Sequence, residues 1–195
     1  MSEFVRLVRP TLAHLPVYHA ALERGWSPDN VRGAIAGQEQ LEQIAADAAA
    51  FLALMDDPEA KGPPVKMPDG TTRLRIPGLR RWMWLGEDTT GDFVGSIGFR
   101  WTADHSPLPA HVLGHIGYAV VPWHQRRGHA TRALALMLEL ARERGLHEVE
   151  ITTDPDNRPS QRVIEANGGV LRESFDKGEA YGDVPGLRYV IALRR

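Results

Sequence analysis

The chain of 195 residues reads as an α+β fold. Two observations predict that class. Apolar residues alternate through several short runs in the second half, and two stretches repeat them at the helical period instead. The elements also come in blocks, with helices early, then strands, then strand–helix–strand–helix and a closing pair of strands.

The elements follow in order. Phe4-Val5-Arg6-Leu7-Val8-Arg9-Pro10 alternates and ends at a proline, which predicts a strand. Thr11 is expected to cap a helix running to Glu23 and stopped by Gly25, although Pro16 sits awkwardly inside it. A second helix is predicted over Gln38 to Met55, with Ile44, Ala48, Phe51, Leu52 and Met55 on one face. Residues 57–79 hold five prolines and the turn Pro68-Asp69-Gly70, so a long irregular connection is expected, either a lid or a disordered segment. A hairpin follows, Arg81 to Leu85 and Phe93 to Phe99 around Asp88-Thr89-Thr90-Gly91-Asp92.

After a loop over 102–112, a strand is predicted from Leu113 to Val121, closed by Pro122. Next comes the clearest helix. Ala130, Ala133, Leu134, Met137, Leu138 and Ala141 form its apolar stripe, with Arg132, Glu139, Arg142 and Glu143 off it. A strand (147–153), a short helix (157–167) stopped by Gly168-Gly169, and two strands (170–176 and 186–193) complete the chain. Its length suits one domain over 1–195.

Composition narrows the function. The chain is 43% hydrophobic and 25% charged, as a soluble globular protein with a core should be. Net charge is −2, which argues against a nucleic-acid partner. Twenty arginines stand against only three lysines, Lys61, Lys66 and Lys177. Without cysteine, disulfides, thiolate nucleophiles and zinc–sulfur sites are excluded. The N-terminus lacks a cationic start with an apolar stretch, and no run approaches the ~20 apolar residues that span a bilayer, so a cytoplasmic protein away from membranes is expected. No metal site is predicted: His111 and His115, if extended, sit ~13 Å apart. Trp82, Trp84 and Trp101 read as core or hairpin packing ahead of a substrate cage.

One loop carries chemistry. A strand runs into Pro122-Trp123-His124-Gln125-Arg126-Arg127-Gly128-His129-Ala130, and the long helix begins there. A helix N-terminus exposes unpartnered N–H groups and the positive end of the dipole, a ready anion site. Gly128 leaves the backbone open, and Arg126 and Arg127 add charge. No Gly-Lys-Ser/Thr follows, so this is not a P-loop, and two of the three dinucleotide-motif glycines are missing. A tight turn needing a small residue would look the same.

Gln125, Gly128 and Ala130, placed between strand and helix, resemble the Gln/Arg-x-x-Gly-x-Gly/Ala acyl-CoA signature of the GNAT superfamily of N-acetyltransferases. The resemblance extends to Gly114-His115-Ile116-Gly117-Tyr118 and to the stretch from Asp156-Asn157 through Ser160 and Val163-Ile164-Glu165 to Asn167-Gly168-Gly169. It covers residue 80 onward well and the N-terminal helices less so.

The resemblance implies a mixed, mostly antiparallel sheet, splayed where acetyl-CoA lies. The cofactor-binding core would span about 80–176, with the N-terminal helices and loop 57–79 on the acceptor side. Ala119, Val120 and Val121 would pair with pantetheine. Gln125 and the amides of Arg126, Arg127, Gly128, His129, Ala130 and Thr131 would hold the pyrophosphate, with Asn157 opposite. A bulge near Val120 would supply the oxyanion donor. The implied activity is transfer of acetyl to a small-molecule amine or a peptide amino group in a ternary complex; homodimerisation is compatible with the sequence.

For the base, His115 is the first candidate, since an ordinary imidazole titrates near neutrality; a histidine locked by backbone hydrogen bonds is the alternative. Glu150 and Asp154 follow. Many family members carry an acid tyrosine at the position of Ile164, so Ser160 is named in its place, with Tyr118, Tyr181 and Tyr189 as further donors. The departure at Ile164 keeps a second reading open: a degenerate acyl-CoA-binding sensor or scaffold. An acetyltransferase for aminoacyl-tRNA is disfavoured by the charge.

Overall fold

The computed structural model describes residues 4–103 and 107–193; residues 1–3, 104–106 of the expected 102–112 loop, and 194–195 lie outside it. The first strand, β1 (Arg6–Val8), leads to α1 (Leu15–Glu23). The helix begins later than Thr11 because Pro16, which lacks an N–H, is tolerated only in the first turn. Thr11 instead opens a turn, its carbonyl accepting from the His14 N–H at 3.1 Å.

The helix expected over 38–55 is two, α2 (Ala34–Ala46) and α3 (Ala48–Ala53). Asp47 breaks it. Its backbone is extended and its carboxylate accepts from Ala50 N–H at 2.9 Å, capping α3. The predicted face survives the break, with Ile44, Phe51 and Met55 buried.

Residues 57–79 are ordered in part. Strand β2 (Asp56–Asp57) pairs with the following sheet, and β3 (Val65–Lys66) pairs with β4 (Thr72–Arg73) around the Pro68-Asp69-Gly70 turn. The hairpin β5 (Gly78–Leu85) and β6 (Asp92–Arg100) forms as expected. β7 (Ile116–Val120) is shorter than predicted, because His115 keeps only its carbonyl on β6, accepting from Arg100 N–H at 2.9 Å, and turns its N–H to Glu150 on β8 (Glu148–Thr153). Between β7 and β8 lies α4 (His129–Glu143). Helix α5 (Arg158–Ala166), β9 (Val170–Asp176) and β10 (Pro185–Ala192) end the chain.

All strand pairs are antiparallel. Among the described residues they form two main sheets, β1-β5-β6-β7 with β2 also on β5, and β8-β10-β9, beside the two-stranded β3-β4. Apolar residues pack on both faces of the first sheet. On one, the stripe Ala133, Leu134, Met137, Leu138 and Ala141 of α4 meets Ile97, Phe99, Val149, Ile151 and Ile164. Burying Leu134 alone stabilises the fold by about 1.5–3 kcal/mol. On the other, α1 and α3 cover Trp82 and Trp84, and Tyr18 stacks on Trp82 with ring centroids 4.1 Å apart. The tryptophans are core, as the strand pattern suggested.

Candidate active site

The two sheets touch at one end and part at the other. At the closed end, His115 N–H donates to the Glu150 carbonyl at 2.7 Å, and Glu150 N–H donates to His115 Nδ1 at 3.0 Å. Gly114 permits this approach: a Cβ there would lie 2.9 Å from the Glu150 carbonyl oxygen. Beyond it β7 and β8 share no ladder, and a cleft opens between them.

β7 turns one edge into that cleft. Val121 N–H bonds Val94 on β6 at 3.0 Å, so the alternate residues Tyr118 and Val120 direct their N–H and C=O groups away from β6. Two side chains reach that edge: Asn30 donates to the Tyr118 carbonyl at 3.0 Å and Gln125 to the Val120 carbonyl at 3.2 Å. The expected bulge near Val120 is not in β7, whose ladder with β6 is regular. The register shift falls instead between β5 and β6, at Met83/Trp84.

At the open end stands the N-terminus of α4. Gly128 occupies the cap position with φ 78° and ψ 1°, and no side chain caps the exposed amides. A Cβ on Gly128 would meet nothing within 4 Å, so the turn uses glycine for its left-handed backbone and leaves open space above it. Gln125, Arg126 and Arg127 are exposed there, and Ala130 and Thr131 partly so. His129 is buried, so it offers the site its backbone only; burial first, then His124 and Arg127, hold its imidazole below the ordinary pKa. Uncapped amides, open space and two arginines fit a pyrophosphate.

Midway, the cleft is bridged. Tyr118 Oη and Ser160 Oγ are 2.9 Å apart, joining β7 to the first turn of α5. Burial pushes the Tyr118 hydroxyl up to about 12, against a smaller downward pull from the Ser160 hydrogen bond. It therefore keeps its proton at neutral pH. Asn157 caps α5, its Oδ1 accepting from Ser160 N–H at 3.1 Å, which sets the Ser160 position.

The structure separates other candidates from this cleft. The cavity of about 350 Å³ beside it is lined by Tyr118, Asp154, Asn157 and Ser160, while His115 and Glu150 line a different hollow with Trp101 and Leu146. Burial, more than any charge, lowers the His115 pKa. Its ring serves as a strut between β7 and β8, the alternative left open by sequence. The Glu150 carboxylate is held by Arg188 at 2.8 Å and Arg172 at 3.3 Å. Asp154 pairs with Lys177. Ile164 is fully buried beneath α5, so a tyrosine at that position would point into the core and not the cleft. Sequence reasoning missed Asn30, Arg80 and Arg100, all on the cavity wall. For Arg100 a signal existed, since it stands between the buried Phe99 and Trp101 at the opposite parity; Arg80 shares the parity of the buried Trp82 and Trp84 and gave none.

The family model for the acetyltransferase (GNAT) domain matches residues 40–170. The chain belongs to the GNAT acetyltransferase family. The matched span contains the cleft, the α4 N-terminus and the Tyr118–Ser160 bridge, and acetyl-CoA is accordingly the co-substrate of this acetyltransferase.

Solved structures share the fold. A GNAT-family acetyltransferase from Bacillus anthracis superposes with a TM-score of 0.61 at 18% identity, covering 100% of this chain and 98% of that one. RimL, a ribosomal L7/L12 α-N-protein acetyltransferase in complex with coenzyme A, gives 0.60 at 15%, covering 98% and 95%. The Salmonella typhimurium enzyme that modifies the N-terminal serine of L7/L12 gives 0.59 at 14%, covering 98% and 96%. No curated protein matches the chain.

Proposed function

We propose that this GNAT acetyltransferase acetylates a primary amine, on a small molecule or a peptide N-terminus, by direct attack within a ternary complex. The observation that carries the reading is the cleft itself: uncapped α4 amides at one end, the β7 edge without a partner strand along its wall, and the Tyr118–Ser160 bridge opening into the 350 Å³ cavity. That relatives of the same fold act on protein amino termini supports an amine acceptor.

Bound acetyl-CoA supplies the acetyl group as a thioester. Amides of Arg127 through Thr131 hold its pyrophosphate, and the β7 edge at Tyr118 and Val120 aligns the pantetheine chain. The Val120 N–H, turned into the cleft, donates to the carbonyl oxygen as negative charge develops there. Tyr118 Oη, protonated at neutral pH and hydrogen-bonded to Ser160, delivers a proton to the departing sulfur. Among the described residues, no carboxylate or imidazole on the wall is placed as a base: Asp154 is ion-paired, Asp29 accepts from Val31 and Arg32 N–H, and His111 lies 3.3 Å from the Leu74 carbonyl. The amine therefore arrives neutral, the proton its nitrogen sheds as the amide forms restores the Tyr118 phenol, and proximity supplies much of the rate.

The sensor reading rested on the missing tyrosine at 164, and Tyr118 removes that ground by presenting a phenol from the opposite wall. The test is free-thiol release from acetyl-CoA across an amine panel. Tyr118→Phe should lower kcat roughly 100-fold or more, the worth of a general acid, with coenzyme A affinity unchanged. Ser160→Ala should cost less, since the phenol keeps its proton. Turnover should rise with pH along each acceptor's own titration. Full activity in Tyr118→Phe would overturn the assignment.

A further inference from the structure

The register of the first sheet puts Arg80 opposite Gly98, Arg100 opposite Gly78, and Gly98 opposite Gly117. Paired residues share a face, so both arginines and all three glycines lie on one side. The residues between them, Leu79, Ile97 and Phe99, are buried in the α4 core on the other side. Further along, Trp82 and Trp84 carry α1, but at the arginine end the face forms the wall of the 350 Å³ cavity. Gly98 leaves room there, the nearest atoms to a Cβ on it being 3.8 Å and 4.0 Å away, and at Gly117 a Cβ would lie 3.4 Å from the Arg100 guanidinium.

The charges in this cavity do not balance locally. Arg32 and Lys66 each contact Glu39 at 2.8 Å, and Lys177 pairs with Asp154. Asp29 accepts from Val31 and Arg32 N–H at 2.9 Å each and attracts Arg100 only from beyond ion-pair distance, so positive charge stays in excess. Arg80 and Arg100 have no carboxylate within 4.0 Å among the described residues. Arg100 is exposed at the cavity and Arg80 partly so, which leaves both guanidinium groups open to a solute. Two like charges side by side on one wall attract an anion, and two planar guanidinium forks suit a carboxylate or phosphate.

We infer that the acceptor is an amine bearing a second, anionic group, which Arg80 and Arg100 clamp while the amine points along β7 toward Val120. This rests on reading the cleft as the acetyl-transfer site. Gly117, beside the clamp, is three residues from Val120, roughly 10 Å of strand, so one small molecule or one peptide terminus spans both ends.

The experiment compares matched acceptors: α-, β- and γ-amino acids against their amides, and O-phosphoethanolamine against ethanolamine. At least one acidic member should show kcat/KM roughly 30-fold or more above its neutral partner, the worth of a charge-assisted pair. Whether carboxylate or phosphate wins identifies the anion. Arg100→Gln and Arg80→Gln should erase that preference, mainly through KM, and leave the neutral partner's rate intact; Arg100→Lys should fall between. Equal rates within every pair, or glutamine variants that slow acidic and neutral acceptors alike, overturn the inference. Thermal shift with coenzyme A separates the two readings. A stabilised protein that acetylates neither member of any pair refutes the clamp alone, and no stabilisation refutes the cofactor cleft and the clamp with it.

Discussion

Replacing Gly128 by aspartate should abolish most coenzyme A binding at small cost to the fold. The structural cost can be worked out. A side chain at this position meets no atom within 4 Å, so nothing must move. What remains is the left-handed backbone, φ 78°, which disfavours a non-glycine residue by about 1 kcal/mol. For a chain of this length that lowers Tm by about 2–4 °C.

The binding cost is larger. A carboxylate ~5 Å from a phosphate charge is repelled by about 3 kcal/mol at an effective dielectric of 20, and by under 1 kcal/mol in bulk water. Affinity should therefore weaken roughly 5- to 150-fold. The new carboxylate would also cap the Ala130 and Thr131 amides that the phosphates need. Gly128→Ala carries the same backbone strain without charge, so the ratio between the two variants isolates the electrostatic part. Titration calorimetry with coenzyme A measures it, and the ratio should shrink as salt rises. If Gly128→Asp binds coenzyme A as tightly as Gly128→Ala, the α4 N-terminus does not hold the phosphates.

Two further outcomes follow from the same geometry. His115→Asn keeps an acceptor for the Glu150 N–H but cannot titrate. Because burial lowers the pKa of His115 in the folded chain, its contribution to stability is complete above 6.5 and lost as pH falls through the lower folded value. His14, His124 and His129 shift the same way, so the wild type should lose Tm on acidification. The asparagine variant should lose less, with turnover within about threefold of wild type; a drop of roughly 100-fold at unchanged Tm would restore His115 as the base. Ile164→Tyr, which installs the tyrosine that the family resemblance implies there, should destabilise by about 1–3 kcal/mol through overpacking and add no activity. Faster turnover at retained stability would refute the placement of that position in the core.

Legibility followed the range of the interaction. Helix α4 was read almost residue for residue, because its stripe is local and repeats at one period. The β5–β6 hairpin was equally plain from alternation around a polar turn. The split of α2 from α3 was missed because Asp47 acts through its backbone and a cap, which periodicity cannot register. Ser160 reached the cleft as expected, while His115 and Glu150 went to the other hollow. A spacing along the chain says which residues are near one another, and not which side of a sheet each takes once two sheets part.

By itself the sequence determined the fold class, the family motifs and the open glycine turn at the start of α4, since each depends on neighbours within a few residues and on one helix end. Only the tertiary structure decided which groups share the cleft. Tyr118 meets Ser160 across 42 positions, and Arg80 stands beside Arg100 with glycines cleared around them. Those meetings depend on where β7 leaves β8 and on the register of β5 against β6. They are long-range packing outcomes that no local pattern encodes.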